Sequence, residues 1–311
     1  MAYVTIVLPC YNVEEKIEKC LKSLANQTFK DFVAIFVDDG STDGTAEKIK
    51  EFAKDDPHFQ YVYKQNGGQA SARNLGIKLT ESELITFIDS DDYVKENYLE
   101  KLVKPFIDHD VQMSACYFER IYSDKTSLNT FSVDDLKLSK YPAVWAKMFK
   151  TVIIKENNVV FPEGLWYEDL HFFTDVMQYI HKIEIVRESL YCYIQNENST
   201  MYTYSEKIFD IYKVFDSLIK KYIDSEILEY IMVYHVLVGT VFRASFKPDF
   251  GKKTISEIYN YVIGYYPSWQ KNKYIKTQLS LFYKIYLLFL KHKQFKILYV
   301  ILKTFNTKVS L

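Results

Sequence analysis

The chain has 311 residues, 48% of them hydrophobic and 25% charged, which suffices for one large domain or a domain with an appendage. With only 9 Gly and 7 Pro it excludes long flexible linkers and low-complexity tracts, and no internal repeat is visible. The net charge of −1 hides a split: behind Ile258 stand nine lysines and no Asp, Glu or Arg, so the acidic excess lies before it, and the basic, aromatic tail points to an anionic partner.

In chain order, Val4–Leu8 is a short apolar run closed by Pro9 and predicts a buried strand. The run opens the chain without the basic flank and apolar core of a signal peptide. Ile17, Cys20, Leu21 and Leu24 recur at helical spacing, with Asn12 as the expected cap. Val33–Val37 predicts a second strand, Thr42–Phe52 a helix, Tyr61–Tyr63 a short third strand, Ala70–Leu79 a helix and Leu84–Ile88 a fourth strand. Tyr93–Leu102 is expected to be helical, with Asp92 as its alternative cap. Apolar strands separated by helices imply crossovers and a mostly parallel sheet covered on both faces. Ligands of such sheets sit beyond the carboxyl ends of the strands. From about Glu206 the pattern turns to long helical stretches rich in Tyr, Ile and Lys, so a boundary is placed near residue 205. Cys10, Cys20, Cys116 and Cys192 form no metal-ligand or redox spacing, so reduced thiols in a cytoplasmic protein are expected.

Polar clusters follow the strands directly. The first is Pro9-Cys10-Tyr11-Asn12. The second is Asp38-Asp39-Gly40-Ser41-Thr42-Asp43-Gly44-Thr45, where Ser41 or Thr42 can cap the next helix, but capping leaves the two acidic residues unexplained. The third runs from Gln65 to Asn74, where Gly67 and Gly68 feed a helix start that favours an anion and Arg73 can reach a phosphate or nearby carboxylates. Neither G-x-G-x-x-G nor a Walker lysine is present, which excludes a dinucleotide fold and a P-loop. The fourth is Asp89-Ser90-Asp91-Asp92. Two carboxylates about 4 Å apart repel by roughly 4 kcal/mol at an effective dielectric near 20, so a strand end carrying three invites a cation. Mg²⁺ favours a few carboxylates together with substrate phosphates. Further on, Glu168 and Asp169 open a helical stretch, where first-turn placement alone would also account for them. His171 is a further candidate for a metal or diphosphate, and Trp145 and Trp166 for acceptor walls, each with a packing role as the alternative.

These segments in this order resemble the family 2 glycosyltransferases: Val7-Leu8-Pro9-Cys10-Tyr11-Asn12, Val37-Asp38-Asp39-Gly40-Ser41-Thr42-Asp43, Asn66 to Asn74 and Phe87-Ile88-Asp89-Ser90-Asp91-Asp92. The resemblance is nearly continuous over the first hundred residues or so. It runs on more loosely to about residue 202, through Trp145-Ala146-Lys147-Met148-Phe149 and Trp166-Tyr167-Glu168-Asp169-Leu170. It is similar to bacterial enzymes that build capsular, exopolysaccharide and teichoic-acid glycans. The resemblance implies a GT-A nucleotide-diphospho-sugar transferase fold (α/β, a Rossmann-like mostly parallel sheet) over residues 1–205, followed by a helical region over 206–311. It implies inverting transfer of a sugar from a UDP-sugar, assisted by Mn²⁺ or Mg²⁺, onto a glycan or lipid-linked saccharide acceptor. Pro9 and Tyr11 would frame the nucleobase, Asp39 would bond the base N–H, and Gly68 and Arg73 would lie near the nucleotide. Asp89 and Ser90 would face ribose or donor sugar, Asp91 would ligate the metal, and Asp92 would help hold the site. Asp169 would be the general base with Glu168 beside it. Tyr193, Ser199 and Thr200 fall where the family closes over the diphosphate, with Gln195 where an arginine is common.

The tail, Leu279–Leu290, is apolar nearly all round apart from Lys284, and no stretch approaches the ~20 apolar residues of a membrane span. A packed helical domain, a homo-oligomer contact or a basic helix lying on the inner face of an anionic cell membrane are the readings it leaves. No nucleic-acid partner is expected. The rivals are a nucleotidyltransferase, which would carry a basic glycine-rich loop where Pro9–Asn12 stands, and an inactive scaffold of the same fold.

Overall fold

The computed structural model describes residues 2–195, 205–246, 250–300 and 302. The chain forms two compact units, Met1–Gly164 with Glu168–Glu197, and Leu165–Tyr167 with Asn198–Leu311.

The first unit begins with β1 (Val4–Cys10), α1 (Ile17–Ala25), β2 (Phe32–Asp38), α2 (Thr45–Ala53), β3 (Phe59–Tyr63), α3 (Gln69–Leu79) and β4 (Leu84–Phe87). There follow β5 (Tyr93–Val94), α4 (Tyr98–His109), β6 (Met113–Ile121), β7 (Thr126–Asn129), α5 (Val133–Lys137), β8 (Lys147–Lys150), α6 (Thr151–Glu156), α7 (Glu168–Val176) and β9 (Ile183–Ile194). One sheet carries all of them in the order β3-β2-β1-β4-β8-β6-β9-β5, with β7 on β6. Its first four strands are parallel, as the apolar runs and intervening helices require. Beyond β4 it is mixed: β8 runs antiparallel to both β4 and β6, while β6 and β9 are parallel. β1 is buried along its whole length. The helix α3 lies so close to it that a Cβ on Gly76 would stand 2.3 Å from Val7 Cγ1.

Three local expectations are corrected. Tyr93–Val94 is an edge strand paired with β9, and the helix begins only at Tyr98 behind Asn97. Asp92 is no cap: its carboxylate accepts from Tyr191 Oη (2.7 Å) and Ile194 N (2.8 Å), which draws the next residues alongside β9. Asn12, Ser41 and Thr42 cap no helix either. Asn12 N donates to Ser41 Oγ and Thr42 N to Asn12 Oδ1, so these side chains tie the loop after β1 to the loop after β2. The helices that follow start later, at Ile17 and Thr45.

The second unit is helical, with helices Asp210–Tyr222, Glu226–Ala244, Lys252–Tyr265, Lys273–Gln278 and Leu281–Lys291. Leu165–Tyr167 joins it because Trp166 N donates to Asp210 and Arg243 donates to Tyr167 Oη. Here the sequence expectation on membrane length is corrected. The 19-residue helix Glu226–Ala244 is long and apolar enough to span a bilayer by length and composition, although it carries Glu226, Glu229 and Arg243. More than half of that stretch is buried in the folded chain, as the core helix of a water-soluble unit would be.

Candidate functional site

The register aligns the carboxyl ends of three strands: Cys10 of β1 is level with Asp38 of β2, and Val7 of β1 with Phe87 of β4. The loops leaving them gather most of the expected site residues on one edge. Pro9 stands past the last β1 residue that β4 covers, where a missing N–H breaks no bond to that strand. Tyr11 follows with half its surface open, an aromatic face free at the sheet edge.

Asp39 is buried, and both its oxygens are taken. Gly67 N donates to Oδ1 at 2.9 Å, Gly68 N to Oδ2 at 2.7 Å and Lys64 Nζ to Oδ1 at 2.5 Å. The carboxylate thus folds the glycine loop over the end of β2, and a nucleobase N–H would have to share or displace these donors. Gly68 precedes α3 with φ 87° and ψ 166°, a conformation essentially confined to glycine. Asp38 works in the same loop, accepting from Ser41 N and Tyr61 Oη.

Arg73, on α3, is the hub of the acidic side. Its side chain is 1% exposed, and its guanidinium reaches Asp89 at 2.8 Å, Asp169 at 2.6 Å and Glu168 at 3.5 Å. Burial opposes the charge, yet Asp169, Asp89 and Glu168 more than offset it and raise the Arg73 pKa. Asp89 also accepts from Gln69 Nε2 at 3.0 Å. Burial pushes Asp169 up to about 7; Arg73 counteracts this, while Glu168 and Asp89 add to it. About a fifth of the Asp169 and Glu168 side chains remains open, so both can meet a ligand.

The rest of the acidic cluster divides in two. Ser90 is buried, and the fully buried Asp92, pushed up to about 9 by desolvation and then by Asp89, holds β9 rather than facing a ligand. Asp91 is partly buried; desolvation first and the charge of Asp89 second raise its pKa, with Lys16 opposing. Among the described residues no group of three or more His, Cys, Asp or Glu side chains is arranged to hold a metal by itself. A single partly buried carboxylate such as Asp91 fits Mg²⁺ or Mn²⁺ in the mode where substrate oxygens complete the shell.

His171 is buried in α7. Trp145 is core: it is 9% exposed and stacks on Tyr191 at 4.7 Å. Tyr193 leans on Trp145, and Gln195 N bonds Ile121 O just past β9. Ser199 and Thr200 lie outside the described residues. Sequence reasoning gave no role to Lys147, a fully buried lysine whose Nζ donates to Ala143 O at 2.5 Å. The signal was available: a lysine precedes the apolar pair Met148-Phe149 in the strand Lys147–Lys150, inside a motif already singled out.

Residues 5–155 match the model of the family described as glycosyl transferase family 2. Over that stretch, just under half of its length, the chain is similar to the family 2 glycosyltransferases. Over 226 residues it is 28% identical to the glycosyltransferase GlyA of Streptococcus pneumoniae serotype 4 (strain ATCC BAA-334 / TIGR4), covering 66% of this chain and 32% of that protein. It is 29% identical to the "uncharacterized glycosyltransferase EpsJ" of Bacillus subtilis (strain 168), covering 63% of this chain and 62% of EpsJ. The matched part thus spans about a third of one relative and three fifths of the other. The fold is similar to that of S. aureus TarS 1-349, solved in complex with UDP-GlcNAc, with a TM-score of 0.78 at 20% identity over 98% of this chain and 92% of that one. The α/β fold with a helical C-terminal region is thus similar to that of TarS 1-349.

Proposed function

We propose that this chain transfers a sugar from a nucleoside-diphosphate sugar to an acceptor hydroxyl in cell-surface glycan synthesis, with inversion and with Asp169 as general base. The observation that carries this reading is the Arg73 bridge, which holds Asp169 and Asp89 on the two terminal nitrogens of one guanidinium at the carboxyl edge of the sheet. UDP is the favoured nucleotide: Tyr11 offers an open ring for a small base, Pro9 lies beside it in sequence, and Asp39 and Gly68 supply the adjoining polar loop. TarS, similar in fold, was solved with UDP-GlcNAc, which supports a nucleotide-sugar donor of this kind.

Asp89 and Ser90 would face the ribose or sugar. A carboxylate has about four lone-pair sites, so Asp169 keeps capacity for the acceptor O–H while Arg73 holds one oxygen. The acceptor oxygen attacks the anomeric carbon from the face opposite the diphosphate, its proton passes to Asp169, and the anomeric C–O bond to the diphosphate breaks. Glu168, sharing Arg73, keeps the local charge negative and the base receptive. Arg73 fixes the bearing of both carboxylates, which matters because misplacement by about 1 Å can cost 10²-fold. A divalent cation held by Asp91 would supply Lewis-acid stabilisation of the leaving diphosphate.

The test is turnover of a panel of UDP-, GDP- and dTDP-sugars by the full chain, with Mn²⁺ and with EDTA. Selective, metal-dependent use of one UDP-sugar is expected, with Asp169→Asn reducing turnover by about 10²–10⁴-fold. Binding of none of them would favour the inactive-scaffold reading.

The helical unit supports a membrane-facing role. The helix Leu281–Lys291 leaves Leu281, Phe282, Ile285 and Leu288 exposed, and Lys284 and Lys291 flank that stripe. An apolar stripe in a segment with lysines and no acids suits an anionic bilayer. Flotation with phosphatidylglycerol-containing vesicles, lost with pure phosphatidylcholine and in Phe282→Ser/Ile285→Ser, is the expected result. Flotation with neither lipid would refute it.

A further inference from the structure

Asn74 follows Arg73 on α3 but turns to a different partner. Its side-chain amide grips one distant residue at both backbone ends: Nδ2 donates to Phe161 O at 2.9 Å, and Oδ1 accepts from Phe161 N at 2.9 Å. A backbone N–H can only donate and a carbonyl only accept, so this pairing fixes the orientation of the amide. Nδ2 also reaches Glu163 Oε1 at 3.2 Å. Phe161 lies outside any helix or strand, so these bonds satisfy backbone groups that a ladder would otherwise pair.

The ring held there is 1% exposed and meets three elements of the site. It stacks on Phe172 of α7 with centroids 4.0 Å apart and planes 2° from parallel. Phe172 stands about one turn after Asp169, so the stack bears on the stretch of helix that carries the carboxylate. Phe87, the last residue of β4 and two before Asp89, packs edge-to-face with both Phe161 (5.5 Å) and Phe172 (5.8 Å). The Arg73 guanidinium lies over the Phe161 ring at 5.3 Å. Arg73 Nε is buried without a hydrogen-bond partner, so this ring and the three carboxylates together orient the guanidinium.

We propose that Asn74 is a positioning residue for the Arg73–Asp169 pair, acting through Phe161: by fixing that backbone it seats one ring against both the guanidinium and the helix that delivers Asp169. Arg73 and Asn74 are consecutive on α3, so one turn of helix sets both the cation and the clamp. Misplacement by about 1 Å already harms catalytic geometry, and a loop residue without such bonds has that freedom.

The inference rests on Asp169 being the base, but its test reads no turnover. In the full chain labelled with ¹³C-carboxyl aspartate, Asp169 is assigned by its loss in Asp169→Asn and titrated by NMR. The charged groups facing Asp169 are Arg73, Glu168 and Asp89, with Lys147 from β8; Arg73 lowers its pKa, so a loosened Arg73 contact must raise the midpoint. Asn74→Ala is expected to raise it by about half a pH unit or more. Phe161→Leu, which keeps the backbone bonds to Asn74 and loses the ring, is expected to raise it as well. The double variant should go no further than the larger single change, since both act on one link. An Asn74 that only supports the fold would lower the melting temperature and leave the midpoint in place. That result overturns the proposal, as does full additivity in the double variant. Should Asn74→Ala not fold, Phe161→Leu decides alone, an unmoved midpoint there being the contrary result. Failure of the base assignment would show separately, as undiminished turnover in Asp169→Asn.

Discussion

Replacing Arg73 by Met is the sharpest perturbation the site allows. The guanidinium is almost fully buried and is the one cation touching Asp89, Asp169 and Glu168 among the described residues. Methionine fills the stem but leaves three carboxylates facing one another. Breaking a buried ion pair by removing one partner costs about 3–5 kcal/mol. At roughly 2–4 °C per kcal/mol for a unit of this size, the melting temperature at pH 8 should fall by roughly 6–20 °C. The sign with pH is fixed by linkage. Losing Arg73 removes a lowering influence on Asp169, so its folded-state pKa, already about 7, moves further above its unfolded value. The folded variant then binds more protons than the unfolded chain, and its stability must increase as pH falls from 8 towards 5. Thermal unfolding followed by circular dichroism at pH 8 and pH 5.5 measures both effects. A melting point equal to wild type at pH 8, or a deficit that does not shrink at pH 5.5, would refute the carboxylate-repulsion account.

Three further outcomes are expected. With Asp169 required as a carboxylate and its pKa near 7, turnover should fall about tenfold per pH unit below that point; a flat profile between pH 5 and 8 would remove it as the base. Asp91→Ala should abolish the effect of Mn²⁺ on nucleotide binding, and calorimetry with UDP in Mn²⁺ or EDTA checks this, equal metal enhancement in both proteins being the contrary result. Gly68→Ala meets no atom within 4 Å, so any loss is conformational: about 1–3 kcal/mol from the φ of 87°, read by urea unfolding, and an unchanged midpoint would show the loop relaxing freely.

What could be read locally was read well from the chain itself. The strands β1 to β4 are continuous apolar runs, the helices between them repeat at helical spacing, and the polar clusters begin where the runs stop; periodicity and strand-end placement are properties of short segments. Glu168 and Asp169 could be singled out by resemblance, yet not their partner. Asp169 stands 96 positions after Arg73 and is brought back to α3 by the fold, and no spacing rule encodes that pairing. The same holds for Asp92, which looks like a helix cap beside Tyr93 until Tyr191 and Ile194, a hundred residues on, claim its carboxylate. Asp39 looked free to face a ligand, while the fold spends both its oxygens on Gly67, Gly68 and Lys64. Lys147 shows the limit most clearly: only the fold reveals that this lysine is buried, with its Nζ on the Ala143 carbonyl. Local sequence decides which segments are strands and where chemistry-bearing groups leave the sheet. Only tertiary packing decides which charge meets which, because that depends on distances and desolvation set by elements far apart in the chain.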